Sequence, residues 1–419
     1  MINMCRILGV VLSLLFAYDV MAQKNPTVIN KARKIHNSII TLDTHIDIPY
    51  DFATSSYNTI TKIKPAHQFD IPSMILGNLD SIFLVVFVSQ GPRTQTGYAK
   101  ALSDGLIKFR AIHRLTTAIQ KKNIVLALSA EQVRNAHKDG KKSALIGIEN
   151  GYIIGTDLSL INKFYKLGAR YFGFLHFGHN DLGDSSVPNI QLGDAQEEHF
   201  GLSQLGKEVL RTLNNHGIIP DISHSSKKTA LDIVNLSRSP VIASHSNVQG
   251  IYNHPRNLSD EELFAIKKNN GVVQVVAYDA YLKNIPEEKK MAIAIMQKSL
   301  GIGNYQDLYD LGQDTLKEYQ LGMANINQNF PSADLSVLLD HIDYIVEKIG
   351  VDHVGISSDF NGGGGIKGWE NVADTFNVTL ELLERGYSEN EIEKIWGENT
   401  LRVMEEVNRI SLMHKRQKR

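Results

Sequence analysis

The sequence predicts an α/β fold, a TIM-like (β/α)8 barrel with an inserted helical segment near the seventh strand, and three observations predict it. Short apolar, β-branched-rich runs alternate with stretches in which apolar residues recur every three or four positions, as strands alternating with helices do. Strands separated by helices pair in parallel, and eight such units close into a barrel. Four of the runs lead directly into His, Asp or Glu, and a barrel gathers strand ends that are far apart in sequence at a single mouth.

In chain order, Ile39 to Leu42 precedes Asp43-Thr44-His45-Ile46-Asp47, where His-x-Asp spacing sets two side chains on one face of an extended segment. Ser81 to Ser89 is the second run, and Ala144 to Ile148 leads into Glu149. Ala169 to His176 is the fourth. Ile218 to Ser223 leads into His224, and Val241 to Ser244 into His245. Gly271 to Ala277 and His353 to Asp359 complete the set. Helical patterns fill the intervals, most clearly over Gly201 to Asn215 and Leu335 to Ile349. The stretch from Lys283 to Asn329 is polar, helix-prone and longer than a connection needs, and it reads as a lid, a dimer contact or a surface insertion.

Composition narrows the class. With 44 basic against 45 acidic residues and no basic stripe interleaved with aromatics, nucleic acid is not an expected partner, and the basic end His414 to Arg419 reads as a solvated tail. At the other end, Arg6 precedes an apolar run, Ile7 to Ala17, that is shorter than the roughly 20 residues of a membrane span. Val20 and Ala22 then supply the small residues a signal peptidase prefers. The expectation is a signal peptide over residues 1–22, export to the periplasm or medium, and a single hydrolase domain over 23–419. The lone cysteine, Cys5, falls in the removed segment, so no thiolate serves as nucleophile or ligand.

Histidine and carboxylate donors without thiolates suit a catalytic zinc or a related divalent ion. His45, Asp47, Glu149, His224 and His245 are too few for two separate sites of three ligands. A shared carboxylate resolves this, with His45 and Asp47 on one ion, His224 and His245 on the other, and Glu149 between them. Two divalent ions, two carboxylates and a hydroxide leave about one positive unit, which suits water activation and stabilisation of the oxyanion formed by attack on a carbonyl. Singly, each residue has a plainer use: His45 as a satisfied strand-end histidine, Glu149 as a helix cap, Asp47 as a backbone acceptor before Pro49. Jointly, four strand ends carrying only His, Asp and Glu are hard to obtain from structural needs.

From about Ile39 to about Val407 the chain resembles the membrane (renal) dipeptidases, zinc-dependent barrel enzymes of the metal-dependent hydrolase superfamily. Asp43 to Pro49 is similar to the family's D-G-H-N-D-L-P, Gly147 to Gly151 to its G-I-E-G, Asp221 to Ser226 to its D-L-S-H-V-S, and Ser244-His245-Ser246 to its S-H-S. The resemblance implies two Zn2+ ions with the five ligands apportioned as above and Glu149 as bridge. It implies that His176, closing Arg170-Tyr171-Phe172-Gly173-Phe174-Leu175-His176, faces the scissile carbonyl, with His179 the alternative if the register differs. Arg256, in Asn253-His254-Pro255-Arg256-Asn257, would hold the substrate's terminal carboxylate. Asp359, in Ser357-Ser358-Asp359-Phe360-Asn361-Gly362, would shuttle the proton or contact the substrate's amino group. The implied activity is hydrolysis of free dipeptides, including those with a C-terminal D residue, by a homodimer.

Thr44, Ile46, Tyr152 and Asn361 depart from the family pattern without removing a ligand. The C-terminus carries no apolar tail, so the lipid anchor of some relatives is not expected. Two other readings fit the same residues: a metal-dependent hydrolase of cyclic amides, lactones or phosphoesters, and an inactive binding protein on the same barrel. The second would be marked by a missing ligand.

Overall fold

Seven of the eight predicted runs become staves of one parallel barrel, whereas the first, Ile39 to Leu42, only leads into its stave, which is Leu42–Asp47 and carries His45 and Asp47 within it. The computed structural model describes residues 25–49, 52, 67–302 and 313–417, and the expected signal peptide with Cys5 lies outside them. The strands are β1 Leu42–Asp47, β2 Ser81–Phe87, β3 Ile124–Leu126, β4 Lys142–Glu149, β5 Ala169–Gly173, β6 Ile219–Asp221, β7 Ile242–Ala243, β8 Val272–Val276 and β9 Val354–Ser357. They follow one another round the sheet as β1-β2-β4-β5-β6-β7-β8-β9, every pair parallel, while β3 pairs only with the start of β4. The ring closes past the end of β9, where Asp47 N–H donates to Phe360 O at 2.9 Å and Asp359 N–H donates to His45 O at 3.1 Å.

Alternation along each strand separates two apolar layers. In β2, Phe83 and Val85 meet Leu145 and Tyr171 in the inner layer, whereas Ile82, Leu84 and Val86 pack outward against the helices. Those helices are cut by side-chain caps. Asp334 accepts from Val337 N–H at 3.3 Å and opens the helix Leu335–Ile349, as the periodicity predicts. The helix expected from Gly201 begins at Gln204, because Phe200 and Gly201 have φ of 53° and 122° and Ser203 supplies the cap. The long segment after β8 contains helices Asp279–Leu282, Glu287–Ser299 and Gln313–Asn329, with residues 303–312 outside the described set. Its two ends are tied together at Asp279, just past β8, which accepts from Lys289 Nζ at 3.0 Å and Ala333 N–H at 2.6 Å. No helix among the described residues is long and apolar enough to cross a membrane.

Candidate metal centre at the barrel mouth

The C-terminal ends of the staves converge as the fold class requires. Asp47 and Glu149 end β1 and β4, and His176, His224, His245 and Asp359 follow β5, β6, β7 and β9 by two or three residues. Phe87 at the end of β2 and Tyr278 after β8 complete the rim of a cavity of about 360 Å3.

At its floor the donors form three overlapping groups with ligand atoms within 4.8 Å of one another: His45, Glu149 and His245; Glu149, His176 and His224; His45, Asp47 and Asp359. Glu149 is common to two of them. Its Oε2 lies 3.5 Å from His45 Nε2, and its Oε1 lies 3.1 Å from His224 Nε2 and 3.3 Å from His245 Nε2. Asp47 Oδ2 stands 3.5 Å and Asp359 Oδ1 3.9 Å from His45 Nε2. His224 and His245 bring their Nε2 atoms to 2.9 Å of each other.

These residues fit divalent metal. His45 Nε2 is buried without a hydrogen-bond partner, although three carboxylates surround it. Three buried carboxylates and three imidazoles with converging lone pairs are a costly arrangement for a fold, and a cation is what stabilises it. The electrostatics agree. Burial would raise Glu149, but the imidazoles of His45, His224 and His245 hold its carboxyl well below the usual range. Burial works against a charged His45, yet Glu149 and Asp47 hold its pKa well above the ordinary histidine value. Burial pushes the Asp359 carboxyl well up, opposed by His45 and reinforced by Asp47 and Glu149. His176 is pushed down, chiefly by burial, and so favours its neutral form.

The backbone shares the cost. His224 and Asp359 hold φ of 66° and 56°, a region side-chain-bearing residues avoid, and such strain persists where surrounding structure over-determines it. Two buried aspartates do the bracing. Asp43 accepts from His45 N–H and Ser358 N–H, each at 3.1 Å, tying β1 to β9. Asp221 accepts from Ser223 N–H at 3.0 Å and from Ser244 N–H and Oγ at 2.9 and 2.7 Å, tying β6 to β7. Glycine is required where the loop after β9 crosses the floor: a Cβ on Gly362 would fall 2.2 Å from Asp359 Oδ1 and 2.4 Å from Asp47 Oδ2.

The other sequence-predicted residues divide. His176 reaches the cavity, its Nε2 3.9 Å from Glu149 Oε1 and its ring against Phe87 and His224. Arg256 is buried beside the cavity instead of on its wall, with Nη2 donating to His245 O at 3.1 Å, its guanidinium 5.1 Å from the Tyr281 ring, and its Nε without a partner. Tyr281 and Tyr278 stand on the wall in front of it. His179 is not part of the cluster, because its two ring nitrogens bond Ser185 N–H and Ala195 O at 3.0 and 3.1 Å.

Sequence reasoning missed Tyr171, whose hydroxyl donates to Thr44 O at 3.2 Å and so accepts from His45 Nδ1 at 3.1 Å, leaving Nε2 to face the carboxylates. It also missed Lys108 and Phe87 on the wall. For Tyr171 a signal existed, since it occupies an inward position of a stave beside a glycine of the next, and a Cβ on Gly147 would fall 2.0 Å from its ring.

The family model described as membrane dipeptidase (peptidase family M19) matches residues 29–418. The chain is 29% identical over 348 residues to dipeptidase aclJ of Aspergillus oryzae, covering 82% of this chain and 71% of that protein. Among solved structures, the probable dipeptidase PvdM from Pseudomonas aeruginosa superposes with a TM-score of 0.81 at 33% identity, over 92% of this chain and 100% of that one. A metallo peptidase from Rhodobacter sphaeroides, liganded with a phosphinate mimic of the dipeptide L-Ala-D-Ala, shares the fold at a TM-score of 0.65 and 22% identity, over 88% and 99% of the two chains.

Proposed function

The chain belongs to the membrane dipeptidase family, peptidase family M19, and is a metallo-dipeptidase; from that premise we propose that it cleaves free dipeptides at a binuclear zinc centre held by His45, Asp47, Glu149, His224 and His245. The observation that carries this reading is the two-sided contact of Glu149, one oxygen toward His45 and the other toward His224 and His245. Bound there, the ions would supply a water that ionises near neutrality and positive charge for the oxyanion of the attacked carbonyl.

The chain's own residues do the rest. Asp359, on the cavity wall and 3.9 Å from His45 Nε2, takes the proton of the attacking water and returns it to the leaving amine. His176, neutral, donates from Nε2 to the oxygen that becomes negative. Arg256 charges the β7 side of the site and attracts the free carboxylate, which limits substrates to short peptides. The cavity of about 360 Å3 suits a ligand of dipeptide size. We also read residues 1–22 as an export signal and the mature chain as one hydrolase domain that forms a homodimer. N-terminal sequencing of exported protein and light scattering check these points.

The test is hydrolysis of L,L and L,D dipeptides, an N-blocked dipeptide and a tripeptide by zinc-reconstituted protein, with and without chelator. Chelator-sensitive cleavage confined to free dipeptides is expected, and the L,D arm shows whether a D residue is accepted. No cleavage of any member by protein carrying two metals per chain would transfer the reading to cyclic amides, lactones or phosphoesters.

A further inference from the structure

A buried amide is costly unless all of its groups are paired, and Asn150, fully buried, is paired to capacity. Its Nδ2 donates to Val88 O at 3.1 Å and to Gln90 Oε1 at 3.3 Å. Its Oδ1 accepts from Tyr152 N–H at 3.1 Å and from Asn180 Nδ2 at 3.0 Å. The main chain beneath that amide is strained. With φ of 76° and ψ of 102°, Asn150 lies outside the left-handed well that asparagine adopts with ease. Such a conformation persists where its surroundings impose it, and this one directly follows Glu149.

What the amide joins is informative. The ladder between β2 and β4 ends with Val88 N–H donating to Glu149 O at 3.3 Å, and the Asn150 side chain then takes over from the strand by filling Val88 O. On the other side, Gly151 N–H donates to Phe174 O at 3.0 Å, and Asn180 Nδ2 donates to the same carbonyl at 2.8 Å. Asn180 Oδ1 is in turn held by Leu182 N–H at 2.8 Å. Two amides thus knit three segments of the cavity wall: the one carrying Phe87 and Ser89, the one ending in Glu149, and the one leading to His176 and Phe177. Both oxygens of Glu149 are turned to imidazoles, so its carboxylate is aimed from the main chain behind it. The brace also suits the donor it serves. Beside the histidines the braces are the aspartates Asp43 and Asp221, whereas behind the carboxylate the brace is uncharged and spares Glu149 a like charge.

We propose that Asn150 is a positioning residue of the metal centre, which with Asn180 holds the strained turn behind Glu149 and so fixes that carboxylate between the two ion positions. The inference rests on the binuclear reading above. Because Glu149 is shared, a shift of its carboxylate weakens both ions together, whereas a group that orients a single histidine weakens one.

The experiment measures the affinity of each zinc by chelator competition, and the thermal unfolding of metal-free protein, in wild type, Asn150→Asp, Asn150→Ala, Asn180→Ala and Asn214→Asp. Aspartate has the shape of asparagine but cannot donate to Val88 O and Gln90 Oε1. Asn214 is the control, a buried amide at the opposite end of the staves that donates to Ser237 Oγ and Ser239 Oγ at 3.2 and 2.9 Å and accepts from Arg238 N–H at 2.8 Å. Expected in both Asn150 variants is a weakening of the two ions by about the same factor, about 10–100-fold. Asn180→Ala, which leaves Asn150 its other three partners, should weaken both ions less, and Asn214→Asp should lower the Tm with wild-type affinities. Wild-type affinities in the Asn150 variants, whatever their Tm, make the amide purely structural and overturn the proposal. Weakening of one ion alone also overturns it. If the Asn150 variants do not fold, Asn180→Ala decides by the same two criteria. Uptake of a single zinc by saturated wild type overturns the binuclear reading and this proposal with it, an outcome read from wild type alone and so separable from the others.

Discussion

Two regions of the molecule, the floor of the mouth and the shell of helices and loops around it, are both built with buried histidines, and they use them in opposite ways. Three buried histidines of the shell spend both ring nitrogens. His36 pairs with Thr379 Oγ1 at 2.7 Å and Gly77 O at 2.9 Å, His341 with Val248 N–H at 3.2 Å and Leu282 O at 3.0 Å, and His179 with Ser185 N–H and Ala195 O. At the floor two of the histidines have one nitrogen fixed and the other aimed, while His224 aims Nε2 with its buried Nδ1 making no hydrogen bond. His45 Nδ1 is held by Tyr171 and His245 Nδ1 by Ser244 Oγ at 2.8 Å, while each Nε2 turns toward Glu149. A shell histidine is a hydrogen-bonding spacer. A floor histidine is a donor held ready for a cation.

The sharpest break of this comparison is a floor histidine. His224→Ala is expected to lower kcat/KM by at least about a thousandfold, the loss of several kcal/mol of charge stabilisation, and to halve bound zinc while the far-ultraviolet circular dichroism stays that of wild type. Full activity in that variant would sink the assignment. The shell answers to pH instead. Burial lowers His341 to about 4 from an unfolded value of 6.5. Its folded pKa is depressed, so its contribution is complete above the unfolded value and is lost as pH falls from 6.5 toward 4. The full loss is about 3 kcal/mol. Urea unfolding at pH 7 and pH 4.5 should therefore show a stability difference in wild type that shrinks in His341→Gln, and equal slopes in the two proteins would refute it.

The same contrast explains what could be read in advance. Periodicity exposed seven staves as apolar runs, even β7, which has only two ladder residues, but located β1 only through the run that leads into it, because that strand is itself mostly polar. It missed β3, whose three residues pair only with the start of β4 and need no second buried face. The five candidate donors stood out in the sequence because they are chemically unusual residues just after apolar runs, and the fold brings them together. Lys108 did not, since a helical lysine is an ordinary residue until the ring order brings it to the wall, and Tyr171 carried only its glycine neighbour, Gly147, as a signal. His176 and His179 could not be separated by spacing alone. Only the partners of their ring nitrogens distinguish them.

Two finer tests act on those partners. Tyr171→Phe keeps the ring that packs 4.9 Å from Phe83 and removes the hydroxyl that fixes His45. Loss of such a supporting contact typically costs 10–100-fold in metal affinity, so chelator competition should show about that weakening for one of two bound zincs. Equal weakening of both, or none, would mean that Tyr171 is packing alone. His179→Gln is the shell counterpart. A glutamine cannot hold both Ser185 N–H and Ala195 O in the same geometry, so about 1–2 kcal/mol of stability is lost, while zinc stoichiometry stays that of wild type because neither nitrogen of His179 faces the carboxylates. If zinc were lost instead, the boundary between the two histidine populations would be drawn in the wrong place.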